Sequence, residues 1–262
     1  MLHFIRLLAN EIYIRWILHW YYTLNTVASL LLMIVNFLWL IVLANSGSLA
    51  PEQIAPSLVG YIIWAYSDYA IYDFTWNILQ EAQKGVLEQM FITPFSFGSV
   101  LMARVLSNMV VATIEIGVAA LVIMLFWGIP FPLTWGSIPI IIITMIGLYS
   151  FALILGGLTL VFKQIQSFAT LISWIILYLN GSVASIDKFP VWLQKIAYWL
   201  PTTEGIQALQ KLVLKQATLH SLWQSGSLTF LILHSVLMLI LGTVIFRWSE
   251  RKARQQGGLG HY

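Results

Sequence analysis

Long apolar runs separated by short polar connections dominate the chain. A helix needs about 20 mostly apolar residues to cross the hydrocarbon core of a bilayer. Six stretches of this kind occur, at residues 23–44, 57–79, 100–127, 138–162, 167–185 and 228–247. None has Lys or Arg at its middle, and the connections between them contain Gly, Pro and Asn. The pattern predicts an all-α integral membrane protein with six transmembrane helices.

Composition leads to the same class of protein. The 262 residues are 60% hydrophobic and 9% charged, whereas soluble domains carry about 25% charged residues. So few charges exclude a water-soluble globule, a disordered chain and a coiled coil. The absence of cysteine excludes a disulfide scaffold, a thiolate metal site and a cysteine nucleophile.

The positions of Lys and Arg predict the orientation of the spans. Nine of these residues lie on the side that holds both termini, namely Arg6, Arg15, Lys84, Arg104, Lys163, Arg247, Arg251, Lys252 and Arg254. Four lie on the opposite side, namely Lys188, Lys195, Lys211 and Lys215. Because basic residues are enriched in cytoplasmic loops, we expect a multi-pass protein of the cell membrane, plasma or inner, with both termini cytoplasmic. Basic residues placed in this way fix topology, so we expect no nucleic-acid partner.

The first 22 residues predict an amphipathic helix at the membrane surface. One helical stripe is polar and consists of His3, Arg6, Asn10, Glu11, Arg15 and His19. Within it, Glu11 and Arg15 have the i, i+4 spacing of an ion pair. The alternative is a simple extension of the first span. We therefore divide the chain into this helix (1–22), a six-span domain (23–247) and a basic cytoplasmic tail (248–262).

The segment between the fifth and sixth spans is long but not polar. Residues 186–227 contain two amphipathic patterns separated by Pro201, and Thr202 or Thr203 can cap the second helix. We expect short outer helices that pack against the spans. A flexible, solvated linker is the alternative.

The second span has an unusual polar face. One helical line carries Tyr61, Asp68, Tyr72 and Thr75, and the neighbouring line carries Tyr66, Tyr69, Asp73 and Trp76. A carboxylate near the middle of a span costs about 2.5–3.5 kcal/mol, so this face should turn toward protein or a watery cavity.

Two interpretations of these polar residues stay open. The face could line a substrate pathway that contains Tyr61, Asp68, Tyr69, Tyr72, Asp73 and Trp76. It could equally be a helix interface whose carboxyl groups bond to neighbouring spans. Glu115, in the third span, is a further pathway candidate for which the structural role is favoured.

Motifs of enzymes are absent from the sequence. There is no H-E-x-x-H, no G-x-S-x-G and no G-x-x-x-x-G-K-[ST] phosphate loop. The five histidines are scattered along the chain, which argues against a metal site. We expect no catalytic residue, metal or cofactor in this chain, and any ATP that drives it must be hydrolysed by another chain.

A short cytoplasmic helix is predicted between the second and third spans. Residues 86–93 place Val86, Leu87, Met90 and Phe91 on one side and Glu88 and Gln89 on the other, and Pro94 ends the helix. A soluble partner that presses on such a helix would move both adjoining spans.

At these residues the sequence resembles the permease subunits of ABC transporters of the ABC-2 type. The stretch E-A-Q-K-G-V-L-E-Q-M-F-I-T-P-F-S (81–96) is similar to the family signature G-T-L-E-Q-L-x-x-(S/T)-P-(L/V)-S, and V-L-M-A-R-V-L-S-N (100–108) follows it. A second, looser match is the proline-bounded outer segment at 189–209. The chain departs from the family pattern at Val86, Leu200 and Gln210.

The resemblance implies a non-catalytic permease that forms an export pathway. Two ATP-binding subunits, which bind ATP and Mg²⁺, would dock on the cytoplasmic face, and a second copy of this permease or a paralogue would complete the pathway. Contact with the ATPase would involve Gly85, Leu87, Glu88, Gln89, Met90 and Pro94.

Two other functions compete with this one. A self-sufficient secondary transporter or channel would show internal repeats or broken spans, and neither is visible. A substrate-binding subunit or intramembrane enzyme would need convergent polar groups on several spans, whereas here they concentrate on one. Aromatic rings and acids suit sugars, amphipathic cations and lipid headgroups equally, so the sequence leaves the substrate open.

Overall fold

A computed structural model describes residues 2–44, 51–84, 97–129 and 135–255. Within these ranges the chain is helical and has no β-strand, which confirms the all-α class. The α-helices are α1 (Leu2–Tyr21), α2 (Thr23–Ala44), α3 (Pro51–Tyr72), α4 (Ile78–Gln83), α5 (Phe97–Trp127), α6 (Ser137–Phe162), α7 (Gln166–Leu179), α8 (Val191–Trp199), α9 (Thr203–Leu214), α10 (Leu219–Gln224) and α11 (Ser227–Gln255). A π-helical segment, Asp73–Asn77, joins α3 to α4, and a 3₁₀ turn, Ile186–Lys188, precedes α8.

Four helices in the described part of the chain are long and apolar enough to cross a membrane: α2, α5, α6 and α11. They match the first, third, fourth and sixth predicted spans. The helix α7 is apolar but has only 14 residues, and α3 carries the polar residues noted above. The chain is thus an integral membrane protein with four clear spans, and the count of six stays a prediction.

Small residues bring α6 and α11 into close contact. A Cβ on Gly147 would lie 2.9 Å from Ser235 Oγ, and Gly242 abuts the backbone of Ser150 without room for a side chain. Ser235 Oγ also donates to the carbonyl of Ile143 at 2.9 Å. Membrane helices lack a hydrophobic driving force between them, so close packing of small residues and interhelical hydrogen bonds hold such pairs together.

The segment between α7 and α11 packs onto the spans as predicted, and a flexible linker is therefore wrong. The helix α9 lies against α3 and α6 and buries Ile206, Leu209, Leu212 and Val213. Gln210 Nε2 donates to the carbonyl of Pro56 at 2.9 Å, which ties α9 to the start of α3.

The predicted cap of this helix is wrong. The helix begins at Thr203, but the Thr202 side chain makes no capping hydrogen bond. Thr203 Oγ1 is buried and has no partner among the described residues. Both threonine hydroxyls are buried, and neither caps the first turn of α9.

Candidate functional site

Polar residues from α1, from α5 and from the continuous helical segment formed by α3, the π turn and α4 meet along one interface. On α1, Glu11, Arg15 and His19 recur every four residues and therefore face one direction. The helix α1 lies along α5, and α3 packs against α5 from another side. We call the residues that meet here the three-helix polar interface: Glu11, Arg15, His19, Tyr69, Asp73, Asn77, Glu81, Arg104 and Glu115.

At one end of this interface, Arg104 of α5 contacts two carboxylates. Its Nε lies 3.6 Å from Glu11 Oε1 of α1, and its Nη1 pairs with Glu81 Oε1 of α4. The guanidinium can hold two acids at once because it presents several donors in a fixed plane. A single cation therefore joins α1, α4 and α5.

Next along the interface, Asp73 lies at the start of the π segment. Arg15 Nη2 of α1 approaches Asp73 Oδ1 to 4.0 Å, and Asn77 Nδ2 donates to the same oxygen. A π turn widens the helix locally and is common at functional sites. Here it places an acid between two helices.

At the far end, Glu115 of α5 accepts from two helices. Tyr69 Oη of α3 donates to Glu115 Oε2, and His19 Nε2 of α1 lies 2.6 Å from Glu115 Oε1. The other ring nitrogen, His19 Nδ1, lies 3.1 Å from the carbonyl of Arg15. Since both ring nitrogens face oxygen, the geometry suits an imidazolium paired with a carboxylate, or a neutral ring whose Nε2 accepts a hydrogen bond from a protonated Glu115 carboxyl.

These contacts revise the predicted environment of the polar residues of α1. Within its polar stripe, Glu11 and His19 contact α5 and Arg15 contacts the π segment, whereas Arg6 and Asn10 are exposed. Its aromatic residues Trp16, Trp20 and Tyr21 are also exposed. The predicted Glu11–Arg15 pair is wrong, because each side chain bonds to another helix. The position of α1 at the membrane surface stays a prediction.

A second group of polar residues lies on the outside of the subunit. Asp68, Tyr72 and Trp76 follow one side of α3 and the π segment at four-residue spacing, and all three are exposed. We call these three residues the acidic–aromatic stripe. Asp68 Oδ1 accepts from Ser173 Oγ of α7 at 2.5 Å, and the rings of Tyr72 and Trp76 stack with centroids 5.9 Å apart.

The seven predicted pathway residues thus lie in different parts of the structure. Tyr69, Asp73 and Glu115 belong to the three-helix polar interface, while Asp68, Tyr72 and Trp76 form the stripe. Tyr61 belongs to neither group, since it is buried and its hydroxyl donates to the carbonyl of Met33 in α2 at 2.8 Å. The contacts of Tyr69, Asp73 and Glu115 are those of a helix interface, and a substrate pathway along Asp68, Tyr72 and Trp76 stays a prediction.

Several partners of these residues were not singled out from the sequence as site residues. Arg15, His19, Arg104 and Ser173 lie far along the chain from the acids they contact. The four-residue spacing of Glu11, Arg15 and His19 was visible, but it was assigned to a face toward water or headgroups. The number of charged groups on that face of α1 favoured contact with polar residues of another helix.

The residues predicted to contact the ATPase lie outside the part of the chain that the structure describes. Gly85, Leu87, Glu88, Gln89, Met90 and Pro94 fall in the undescribed range between α4 and α5. Among the residues that the structure describes, no group of three or more His, Asp or Glu could hold a metal ion.

Comparison with known proteins gives one family and two relatives. The model of the family described as ABC-2 type transporter matches residues 5–214. The protein named "Probable multidrug ABC transporter permease YbhR" from Escherichia coli strain K12 is 25% identical over 154 residues, and the protein of that name from Escherichia coli O157:H7 aligns equally well. The alignment covers 57% of this chain but 41% of each relative, so the chain matches about two fifths of the length of these relatives.

Proposed function

Because the chain belongs to the ABC-2 type transporter family, we propose that it is the membrane-spanning permease subunit of an ATP-binding cassette exporter. The family is a membrane component of transporters and is not catalytic by itself. A separate nucleotide-binding subunit, which binds ATP and Mg²⁺, supplies the energy in this proposal. The names of both relatives, which contain the words ABC transporter permease, support it.

The proposed assembly contains two permeases and two ATPase subunits. The second permease is another copy of this chain or a paralogue. Each permease crosses the cell membrane six times, which adds α3 with α4, and α7, to the four apolar helices. Both termini are cytoplasmic, as the distribution of Lys and Arg indicates.

One observation carries the proposed coupling to the ATPase: Arg104 joins Glu11 and Glu81. Glu81 lies in α4 and Arg104 lies in α5, so these two residues flank the segment 85–96 on either side. In our proposal the ATPase subunit presses on this segment through Gly85, Leu87, Glu88, Gln89, Met90 and Pro94. The ion pairs then carry α1 and α3 along with α5, and the subunit opens to the outside.

The names of the relatives indicate only a broad chemical class for the transported substrate. Their names describe them as multidrug permeases, and we extend this to propose that the present chain exports small organic molecules. The acidic–aromatic stripe is the part of the pathway that this chain contributes. Export is the direction that the family resemblance implies.

Reconstitution tests the proposal against a transporter or channel that works alone. Proteoliposomes should contain either the purified chain or the chain with its ATPase subunit, and each should be loaded with one cationic, one neutral or one anionic fluorescent dye. We expect movement of at least one dye only with both subunits and ATP, and inhibition by vanadate. Dye movement by the chain alone, without ATP, would overturn the proposal in favour of a secondary transporter or channel.

A further inference from the structure

Four of the five acids near the meeting point of α1, α3 and α5 have a basic partner, and one does not. Asp73 faces Arg15, Glu11 and Glu81 face Arg104, and Glu115 faces His19. All 13 Lys and Arg residues lie within the described ranges. None of them pairs with Asp68, whose carboxylate bonds to the Ser173 hydroxyl alone among the described residues. Asp68 is also the exposed member of the five.

An exposed carboxylate on a membrane helix needs a favourable environment. Burial of an ionised carboxylate in hydrocarbon costs several kcal/mol, and such groups in membrane proteins face water or a cation rather than lipid. The serine hydroxyl supplies one hydrogen bond but no charge. The other acids show how this chain compensates such a charge, namely with a nearby cation. Asp68 can therefore be compensated by water or by a cation from outside the chain.

Aromatic rings lie on both sides of this carboxylate along the helix. In one direction, Tyr72 and Trp76 stack with an interplanar angle of 17°. In the other direction, Trp64 lies one helical turn from Asp68, and its ring centroid is 6.0 Å from that of Trp174. Ring faces carry negative electrostatic potential and attract cations within about 6 Å.

A groove between α2, α3 and α7 continues this aromatic surface. Its enclosed volume is about 50 Å³, well below the range of about 300–1,000 Å³ that is typical of small-molecule sites, so it can hold part of a ligand and not a whole one. Its aromatic lining consists of Trp39, Tyr61, Trp64, Trp174 and Tyr178. Trp174 and Tyr178 stack with centroids 6.4 Å apart.

These surroundings discriminate between ligand classes that the sequence left open. A lipid phosphate or another anion would need Lys or Arg, and no Lys or Arg ion pair in the described residues involves the stripe. A sugar would need several hydrogen-bonding groups, whereas Asn36 is the one groove-lining side chain that is neither aliphatic nor aromatic. A bulky cation with apolar substituents matches both the carboxylate and the rings.

We propose that Asp68 is the counter-ion for a hydrophobic organic cation, which the rings of Tyr72 and Trp76 on one side and Trp64 and Trp174 on the other hold as it moves along the stripe. This inference rests on the proposed function, because it assigns the cargo of the same pathway. The site lies on the outer surface of one permease, where the second permease closes the pathway.

Equilibrium binding of tetraphenylphosphonium to the full complex in lipid nanodiscs tests the proposal. Tetraphenylborate has nearly the same shape and the opposite charge, and empty nanodiscs give the background for both ions. We expect saturable binding of the cation and none of the anion. Asp68→Asn should weaken cation binding by about tenfold or more, because it removes the charge and keeps an oxygen for Ser173.

Matched variants distinguish an effect of the stripe residues on cation binding from a general effect of substitution on the complex. Asp187→Asn makes the same change at an acid in the outer 3₁₀ turn and should leave the affinity unchanged. Trp76→Leu should weaken binding about threefold or more through loss of the ring, whereas Tyr72→Phe should have little effect. Size-exclusion chromatography and thermal unfolding of each variant establish that the complex is intact.

Two results would overturn the inference. The first is equal affinity of wild type and Asp68→Asn, or equal binding of both ions. The second is that Asp68→Asn dissociates the two permeases, which would make the stripe an interface between subunits. Binding needs no ATP, so failure of the inference is distinct from failure of the proposed function: ATP-driven movement of a neutral dye, without cation binding, would leave the permease role standing.

Discussion

His19 of α1 and Glu115 of α5 lie 96 residues apart in the chain, and their side chains meet with 2.6 Å between Nε2 and Oε1. The second oxygen of the same carboxyl accepts from Tyr69 of α3. One buried acid therefore positions the N-terminal helix against two others. Charge-assisted hydrogen bonds of this kind are about twice as strong as neutral ones.

His19→Ala should destabilise the protein because it leaves the buried Glu115 carboxyl with fewer partners. An unsatisfied buried polar group costs about 1–3 kcal/mol, so we expect a melting temperature lower by several degrees in detergent, measured by intrinsic fluorescence. His220→Ala is the control, since His220 is exposed and contacts Gln224 on its own helix. Equal melting temperatures for both variants would show that the contact does not stabilise the native protein.

Arg104→Ala should reduce transport per ATP hydrolysed more than it reduces expression. The substitution leaves Glu11 and Glu81 without their shared cation and separates α1 from the helices that flank segment 85–96. Arg104→Lys should restore part of the coupling, because an ammonium is a compact charge without the fork of the guanidinium. The measurement is ATPase activity and dye export in the same proteoliposomes.

A control for Arg104 lies on α11. Arg254 pairs with Glu250 one turn away at 2.5 Å and is largely exposed, and exposed pairs of this kind contribute about 0.3–0.5 kcal/mol. Arg254→Ala should therefore leave coupling unchanged. A loss of coupling equal to that of Arg104→Ala would indicate that removal of a basic residue reduces coupling wherever it lies.

Glu88→Arg should weaken docking of the ATPase subunit or uncouple hydrolysis from transport while membrane insertion stays normal. The reason is reversal of charge on the polar side of the predicted helix 86–93, where the proposed partner binds. Co-purification of the ATPase subunit and transport per ATP measure the two effects. Glu250→Arg reverses a charge elsewhere on the proposed cytoplasmic side and should leave both quantities unchanged. Normal docking together with normal transport per ATP in Glu88→Arg would contradict the assignment of this segment.

Gly242→Val should disrupt the α6–α11 pair. The added side chain would meet the backbone of Ser150, and overpacking of this kind costs about 1–3 kcal/mol. We expect a lower melting temperature and a smaller yield of monodisperse protein. Gly117→Val on α5 is the matched control, because a Cβ at Gly117 meets nothing within 4 Å. Similar losses in both variants would indicate intolerance of valine in the spans rather than a contact.

The proposed topology predicts opposite locations for two reporters. A reporter fused after Tyr262 should be cytoplasmic, whereas one inserted near Lys195, within α8, should be external. Paired alkaline phosphatase and green fluorescent protein fusions distinguish the two sides. Both reporters on the same side would refute the count of six spans.

Much of the helical framework could be predicted from the sequence. The apolar runs at 23–44, 100–127, 138–162 and 228–247 correspond to α2, α5, α6 and α11. The break at Pro201 separates α8 from α9, and the apolar face of α9 is buried. These predictions succeed because they depend on local properties, namely length, periodicity and the missing N–H of proline.

The partners of the polar residues could not be predicted in the same way. Helical periodicity indicated that Glu11 and Arg15 share a face, and an i, i+4 pair followed from that spacing. It carried no information on the neighbouring elements, where Arg104 and Asp73 are the actual partners of Glu11 and Arg15. No local signal marked the π segment at Asp73–Asn77 either.

The sequence by itself determined that the chain is a helical membrane protein, because the cost of exposing apolar residues to water and charges to lipid follows from composition and order alone. Only the tertiary structure decided which polar residues of the second predicted span face inward and which face outward. Tyr69 and Asp73 bond to α5 and α1, whereas Asp68 and Trp76 remain on the surface. The physical reason is that the direction of each helical face depends on how the helices pack, and that packing joins residues far apart in the chain.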